Sequence, residues 1–365
     1  MFDFQYFIKI YQKRFQKNRT AKRAFWTLVF LIFIAIFGNI IAAEAGKSLV
    51  PPLIPYASTT QDKLNNDFVS PLSKQQVSSL YYRHWLGTDV LGRDVLAGLI
   101  AGTRTALLVG VGSMAVALLI GLVLGLVAGY FGDNRLKVSI FGFLLRSLFF
   151  LGTIFYAFIF VQQGLNLFIL FFILIGIYLI INILDNYLST TNFIFFKKNI
   201  PFPIDLIIMR AVEVMQAIPT ILWLLALISV LKSLTVTGLI FFIGITSWMS
   251  LARLIRGEII RIRPLDFMES ALALGLSDTR IMLRHALPNV MTPILIYVAF
   301  GIGSRITIEA FLTFIGFGLP LEQVTWGTML HAAKDVPSAW WLIFFPGFMI
   351  FITVSAFNRI GEAFK

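Results

Sequence analysis

The stretch Ile100 to Phe131, IAGTRTALLVGVGSMAVALLIGLVLGLVAGYF, decides the fold. It is almost entirely apolar, and at 1.5 Å per helical residue it is more than long enough to cross a hydrocarbon core of roughly 30 Å. Gly121, Gly125 and Gly129 recur within it every four residues. That spacing puts them on one helix face, where a second backbone can approach closely. The whole chain has the same character. Of its 365 residues 58% are hydrophobic and only 13% charged, with a mean hydropathy of +0.86. A soluble domain carries nearer a quarter charged residues, so this chain is read as an all-α polytopic membrane protein.

Eight segments have the length and apolarity of a span: about 24–43, 100–131, 138–161, 165–187, 208–231, 236–255, 288–314 and 340–358. Two of them, 208–231 and 288–314, are interrupted by glycine, proline or charge. The net charge of +12 becomes a topology signal once its basic residues are sorted by side. With the N-terminus inside, nineteen of the 30 Lys and Arg residues fall on the inner side. They include the run from Lys9 to Arg23 and six arginines between Arg253 and Arg284. Both termini are therefore expected in the cytoplasm, and the charge requires no nucleic acid. The N-terminus lacks the small-residue cleavage site of a signal peptide.

The expected organisation is a basic N-terminus at 1–23, a first span at 24–43, an extracytoplasmic segment at 44–99 and a transmembrane domain at 100–362. The extracytoplasmic segment is too small and too poor in apolar residues for its own core. Within the transmembrane domain, 138–187 differs in texture, being rich in Phe, Ile and Leu and nearly free of charge. It reads as an inserted hairpin of two lipid-facing helices. Since it crosses twice, it leaves the orientation of the following spans unchanged.

Several chemistries are excluded or unsupported. With no cysteine and three scattered histidines (His84, His285, His331), thiolate sites and His-based metal motifs are absent, and no cofactor is expected. Gly46-Lys47-Ser48 looks like the end of a phosphate-binding loop, but Ile41 stands where the first glycine is required. Gly110-Val-Gly112 lies inside a span, without the strand–turn–helix setting of a dinucleotide site. A membrane enzyme would need a polar catalytic cluster, for which His84 and Asp89 are the only hint. A secondary, ion-coupled transporter is the alternative class, but it usually has repeat symmetry, and none is visible.

The informative region is the inner loop 256–288. Asp266-Phe-Met-Glu269 has the form of a capping box, Gly275 can end the helix that follows, and Ser277 can cap a second one carrying Arg280 and Arg284 to about Ala286. Pro288 then stands near the start of the next span, where its missing N–H costs nothing. The loop is thus expected to be a folded helix–turn–helix. In the next span Arg305 and Glu309 are four residues apart, a spacing that allows an intramembrane pair.

The pattern Glu269-Ser270-Ala271-x₃-Gly275-x₉-His285-Ala286-Leu287-Pro288 resembles the EAA loop of ABC importer permeases, with Ser270 replacing the second Ala. His285 is similar to the dipeptide, oligopeptide and nickel branch of that family. So is His84-Trp-Leu-Gly-Thr-Asp-Val-Leu-Gly-Arg-Asp-Val-Leu96. The likeness continues through Met209 to Glu213 with Pro219, Gly301-Ile-Gly303-Ser304, Phe314-Ile-Gly316-Phe-Gly318, Trp326-Gly327 and Pro346-Gly347. The hairpin 138–187 and the linker 188–204 depart from the branch's six-span pattern.

The resemblance implies a type I importer permease core of six helices plus the inserted hairpin, in a bacterial inner membrane. It implies a transport subunit rather than an enzyme, forming the path for peptides or a similar small solute. The partners it implies are a second homologous permease in a heterodimer, ABC ATPase subunits, an extracytoplasmic binding protein and membrane lipid. In that picture residues 266–280 are the coupling helix. Glu269 supplies its cap and polar contact, Ala271 its close packing and Gly275 its turn, while Arg280 and Arg284 meet acidic residues or lipid phosphates.

Overall fold

The computed structural model describes residues 18–46, 51–65, 68–71, 73–139, 176, 199–229, 234–334 and 336–364. Outside the 51–94 segment and one short strand pair they are mostly helical. Helix α1 is Arg19–Ile41 and α2 is Val95–Phe131. After them come α3 (Ile204–Ala217), α4 (Thr220–Ser229), α5 (Val236–Ile245) and α6 (Met249–Ile262). The loop helices are α7 (Asp266–Ala273), α8 (Asp278–Ile281) and α9 (Leu287–Asn289), with a π turn at Met282–Ala286 before α9. Helices α10 (Met291–Ile315), α11 (Trp326–Ala332) and α12 (Trp341–Ala363) complete the chain.

Among the described residues, four helices (α1, α2, α10 and α12) are each long and apolar enough to cross a membrane. Two further passes arise if each bent pair is one span: α3 with α4, bent by 80°, and α5 with α6, bent by 43°. The first break has a plain cause. Pro219 has no N–H to donate and disfavours helical geometry in Ile218 before it. The Trp223 indole N–H then spans the corner to the Met215 carbonyl at 3.1 Å. At the second break the Thr246 hydroxyl donates back to the Phe242 carbonyl at 2.9 Å, a bond that competes with the helical ladder and bends it.

The described residues fall into two compact units. The larger comprises Met1–Tyr130 and Ala211–Lys365. Helix α12 packs there on α10, α1 and α11. Their shared core includes Leu28, Leu99, Leu107, Ile306, Trp326, Trp341 and Leu342. A second cluster joins Val109 of α2 to Leu224, Leu239, Ile243 and Leu312. Along the far half of α2, Gly121, Gly125 and Gly129 face α6. A Cβ on Gly125 would lie 2.7 Å from the Ala252 carbonyl oxygen, and one on Gly129 would lie 2.7 Å from the Ile259 Cβ. Only glycine allows α2 and α6 to approach so closely.

The smaller unit, Phe131–Arg210, holds a short antiparallel pair, β1 (Lys137–Ser139) with β2 (Asn199–Pro201). Asp133 accepts from the Leu206 backbone N–H at 2.9 Å. The strand pair sets Ser139 opposite Asn199. Val138 and Ser139, expected to begin a helical span, are strand residues, because their backbone groups pair with 199 and 200. Apart from them and the helical Gly176, the expected hairpin 138–187 lies outside the described residues.

Candidate functional site

Helix α2 spans about 55 Å at 1.5 Å per residue, and it connects two polar assemblies, one at each end. At its start, Asp94 accepts from the Ala97 backbone N–H at 2.7 Å, capping the helix. The other Asp94 oxygen lies 2.8 Å from His84 Nδ1, and the Asp62 carboxylate lies 3.2 Å from His84 Nε2. His84 is completely buried and stacks on Tyr56 at 4.2 Å between ring centroids. Burial acts against its positive charge, but the facing carboxylates of Asp94 and Asp62 outweigh it and hold its pKa above the ordinary value. Burial likewise works against the Asp62 carboxylate. Hydrogen bonds from Asn65, the Leu64 N–H and His84 win, so its pKa is lowered. The Tyr56 hydroxyl is pushed up to about 12 by burial and by the nearby negative charges of Asp62 and Asp94.

This clamp ties the segment between α1 and α2 to the helix head. Its small apolar patch, Tyr56 with Ile54 and Tyr82, is completed by Ala42 and Ala97 from the helix ends. The hinted pairing of His84 with Asp89 does not form. Asp89 is held instead by Arg93 at 2.6 Å and by the Leu91 and Arg93 backbone N–H groups. His84 therefore belongs to a closed structural network.

At the far end of α2, the Tyr130 hydroxyl donates to the Asp278 carboxylate at 2.6 Å, joining the helix to the loop of α7, α8 and α9. Neither residue carries a sequence signal of this pairing, since 148 positions separate them. Helix α7 starts differently from the expected capping box. The Leu265 N–H donates to the Ile262 carbonyl and closes a turn, which leaves Leu265 extended at the N-cap position, without a side-chain cap. Asp266 and Glu269 instead lie in the first turn, where their charge complements the helix dipole.

The end of α7 is a Schellman closure. Gly275, at φ +69°, donates to the Leu272 carbonyl, and Leu276 donates to the Ala271 carbonyl. Ser277 is the N-cap of α8, though its side chain makes no capping bond. The second helix is interrupted by the π turn, in which the Leu287 N–H reaches Met282. Pro288 has no N–H for the Arg284 carbonyl, and the widened turn immediately precedes it. Asn289 supplies a side-chain donor to the His285 carbonyl at 2.7 Å.

The loop has two faces. Met268, Ala271, Ile281 and Ala286 are buried on the inner one. The outer one presents Glu269, Ser270, Arg280 and Arg284 together with exposed apolar groups: Phe267, Leu283 and Leu274, the last 77% exposed.

Arg305 and Glu309 do not pair. The Arg305 guanidinium turns back along α10 to the Gly301 carbonyl at 2.8 Å and to Ser247 at 3.4 Å. Glu309 turns the other way and accepts from the Thr313 hydroxyl at 3.1 Å. One Glu309 oxygen and the Arg305 Nε remain buried without hydrogen bonds. Each side chain finds a partner one turn away, on the side facing away from the other.

Long apolar helices, bent helix pairs and glycine-mediated packing define the class as a polytopic helical membrane protein. Residues 194–365 match the family described as "Binding-protein-dependent transport system inner membrane component". Known relatives match along most of the chain. The oligopeptide transport system permease protein OppC of Bacillus subtilis is 25% identical over 355 residues, covering 96% of this chain and 86% of the relative. The dipeptide transport system permease protein DppC of Alkalihalophilus pseudofirmus is 27% identical over 354 residues, covering 97% and 86%. The glutathione transport system permease protein GsiD of Pectobacterium atrosepticum is 29% identical over 283 residues, covering 77% and 71%. The chain is thus similar to this family over residues 194–365 and to permease proteins of bacterial transport systems over most of its length, and its long apolar helices are those of a multi-pass membrane protein.

Proposed function

We propose that this chain forms part of the translocation path of an ATP-driven importer for peptides or a similar small solute handed over by an extracytoplasmic binding protein. Relatives named as oligopeptide, dipeptide and glutathione permeases support that solute class. Its partners are a second homologous permease in a heterodimer and a separate pair of ATPase subunits, engaged at the cytoplasmic face by loop 256–288. The observation that carries the reading is the two-faced loop. A helix held by Met268 and Ala271 and closed by Gly275 moves as one body with α8, and Tyr130 connects α8 to α2. ATP can bias the permease only through contacts that differ between its conformations, and a rigid docking helix supplies such contacts. Phe267 and Leu274 are the apolar anchors of that contact, with Glu269, Arg280 and Arg284 at its edge.

The test is co-purification of the ATPase with the Leu274→Asp variant. A charge placed in the centre of the docking face should reduce recovery of the ATPase at least ~10-fold, equivalent to about 1.4 kcal/mol. Undiminished recovery, or uptake by the purified chain without ATP, would overturn the proposal.

A further inference from the structure

Arg104 stands in the apolar stretch of α2 and belongs to neither polar assembly. It is exposed and makes no hydrogen bond or ion pair with any described residue. A charged side chain at membrane depth is costly unless it meets a partner or water, so its surroundings indicate what it serves. It lines a groove of about 750 Å³ between α1 and α2, closed at one side by Ile240 of α5, a volume within the usual ligand-site range of about 300–1,000 Å³. The groove is otherwise apolar along Ile32, Ile36, Leu108 and Val111, and its second polar group is Asn39.

The depth of the groove is fixed by its neighbours. Asn39 is two residues from the end of α1 at Ile41. Arg104 lies nine residues after α2 begins at Val95, about 13.5 Å of rise, and its side chain is long enough to snorkel from the apolar wall toward that end of the helix.

We infer that this groove is a binding site for one phospholipid, with Arg104 and Asn39 holding the phosphate and an acyl chain lying along Ile32, Ile36, Leu108 and Val111. The guanidinium offers paired N–H donors that match a phosphate, and the Asn39 amide adds another donor. A solute path would line its wall with more polar groups than these two.

The experiment uses the full chain in its complex, purified in mild detergent, supplied with phosphatidylglycerol and read by native mass spectrometry. One phosphatidylglycerol should be retained per chain. Arg104→Gln should weaken retention at least ~10-fold, and Arg104→Lys less so, since it keeps the charge without the planar fork. Leu108→Trp, which fills the groove and leaves Arg104 in place, should displace the lipid as well; this variant decides the matter if Arg104→Gln fails to assemble. Diacylglycerol with the same chains should not be retained, nor should inorganic phosphate compete. The inference is overturned by equal retention in Arg104→Gln or Leu108→Trp, or by equal retention of diacylglycerol. It is also overturned if a photoreactive side chain at position 108 captures a protein helix, or if a tripeptide displaces the lipid.

Discussion

The two ends of α2 bury polar groups in opposite ways. At the start, His84 is enclosed between two carboxylates and a tyrosine ring, so its bonding capacity is used internally. At the far end, the loop buries only one face and leaves charge and large apolar groups outside. The first arrangement anchors. The second, on the proposed function, meets a partner. A closed network spends its interactions on holding the fold, while an open one keeps them for something that binds. Each end can be broken separately, and the consequences should differ in kind.

The largest effect on stability is expected from His84→Leu. Removing the cation leaves Asp94 buried without its partner, a change of the type that costs about 3–5 kcal/mol. The protein should melt well below the wild type in detergent. The wild-type clamp should also depend on pH. A raised histidine pKa contributes stability fully present below about pH 6.5 and lost as the pH rises through the raised value. The lowered Asp62 pKa contributes stability present above about pH 4 and lost as the pH falls through the lowered value. The melting temperature should therefore be highest between those limits and decline into the alkaline range. A flat profile in the wild type, or an unchanged alkaline decline in His84→Leu, would contradict the clamp.

Next is Gly125→Val, which forces side-chain atoms into the Ala252 backbone and Ile255. Overpacking of this kind costs about 1–3 kcal/mol, and here it separates α2 from α6. The variant should lose yield of folded protein, whereas the neighbouring exposed Val123 should accept leucine without loss.

Tyr130→Phe is expected to have the smallest effect on stability, about 1.5 kcal/mol for one hydrogen bond to a charged acceptor. Its functional effect should exceed that figure's implication. ATP hydrolysis should continue while solute uptake falls several-fold, because the bond joins loop to helix. Equal losses in both activities would reduce the bond to a structural one.

Much of this contrast was legible in the sequence. The apolar lengths, the four-residue glycine spacing and Gly275 at a helix end each reflect a local rule, and local rules can be read from neighbouring residues. Pro219 marked a broken span for the same reason. What escaped depended on distance along the chain. Asp62 meets His84 across 22 residues and Tyr130 meets Asp278 across 148, and no periodicity announces such pairs. Arg305 and Glu309 show the converse error. Their four-residue spacing permits a pair, but carbonyl and hydroxyl groups one turn away compete for both side chains and win. The cap of α7 failed by a single position, because the turn at Ile262–Leu265 rather than the Asp266 side chain sets where the helix begins.

If the loop transmits motion because it is rigid, Gly275→Val should separate ATP hydrolysis from uptake. A β-branched residue at φ +69° is strained, at a cost of about 1–2 kcal/mol for left-handed geometry, and it opens the closure that ends α7. The measurement is solute uptake and ATP hydrolysis in the same reconstituted importer. The variant should remain in the membrane and hydrolysis should persist, while uptake per ATP falls at least ~10-fold. Normal uptake per ATP at normal expression would contradict it.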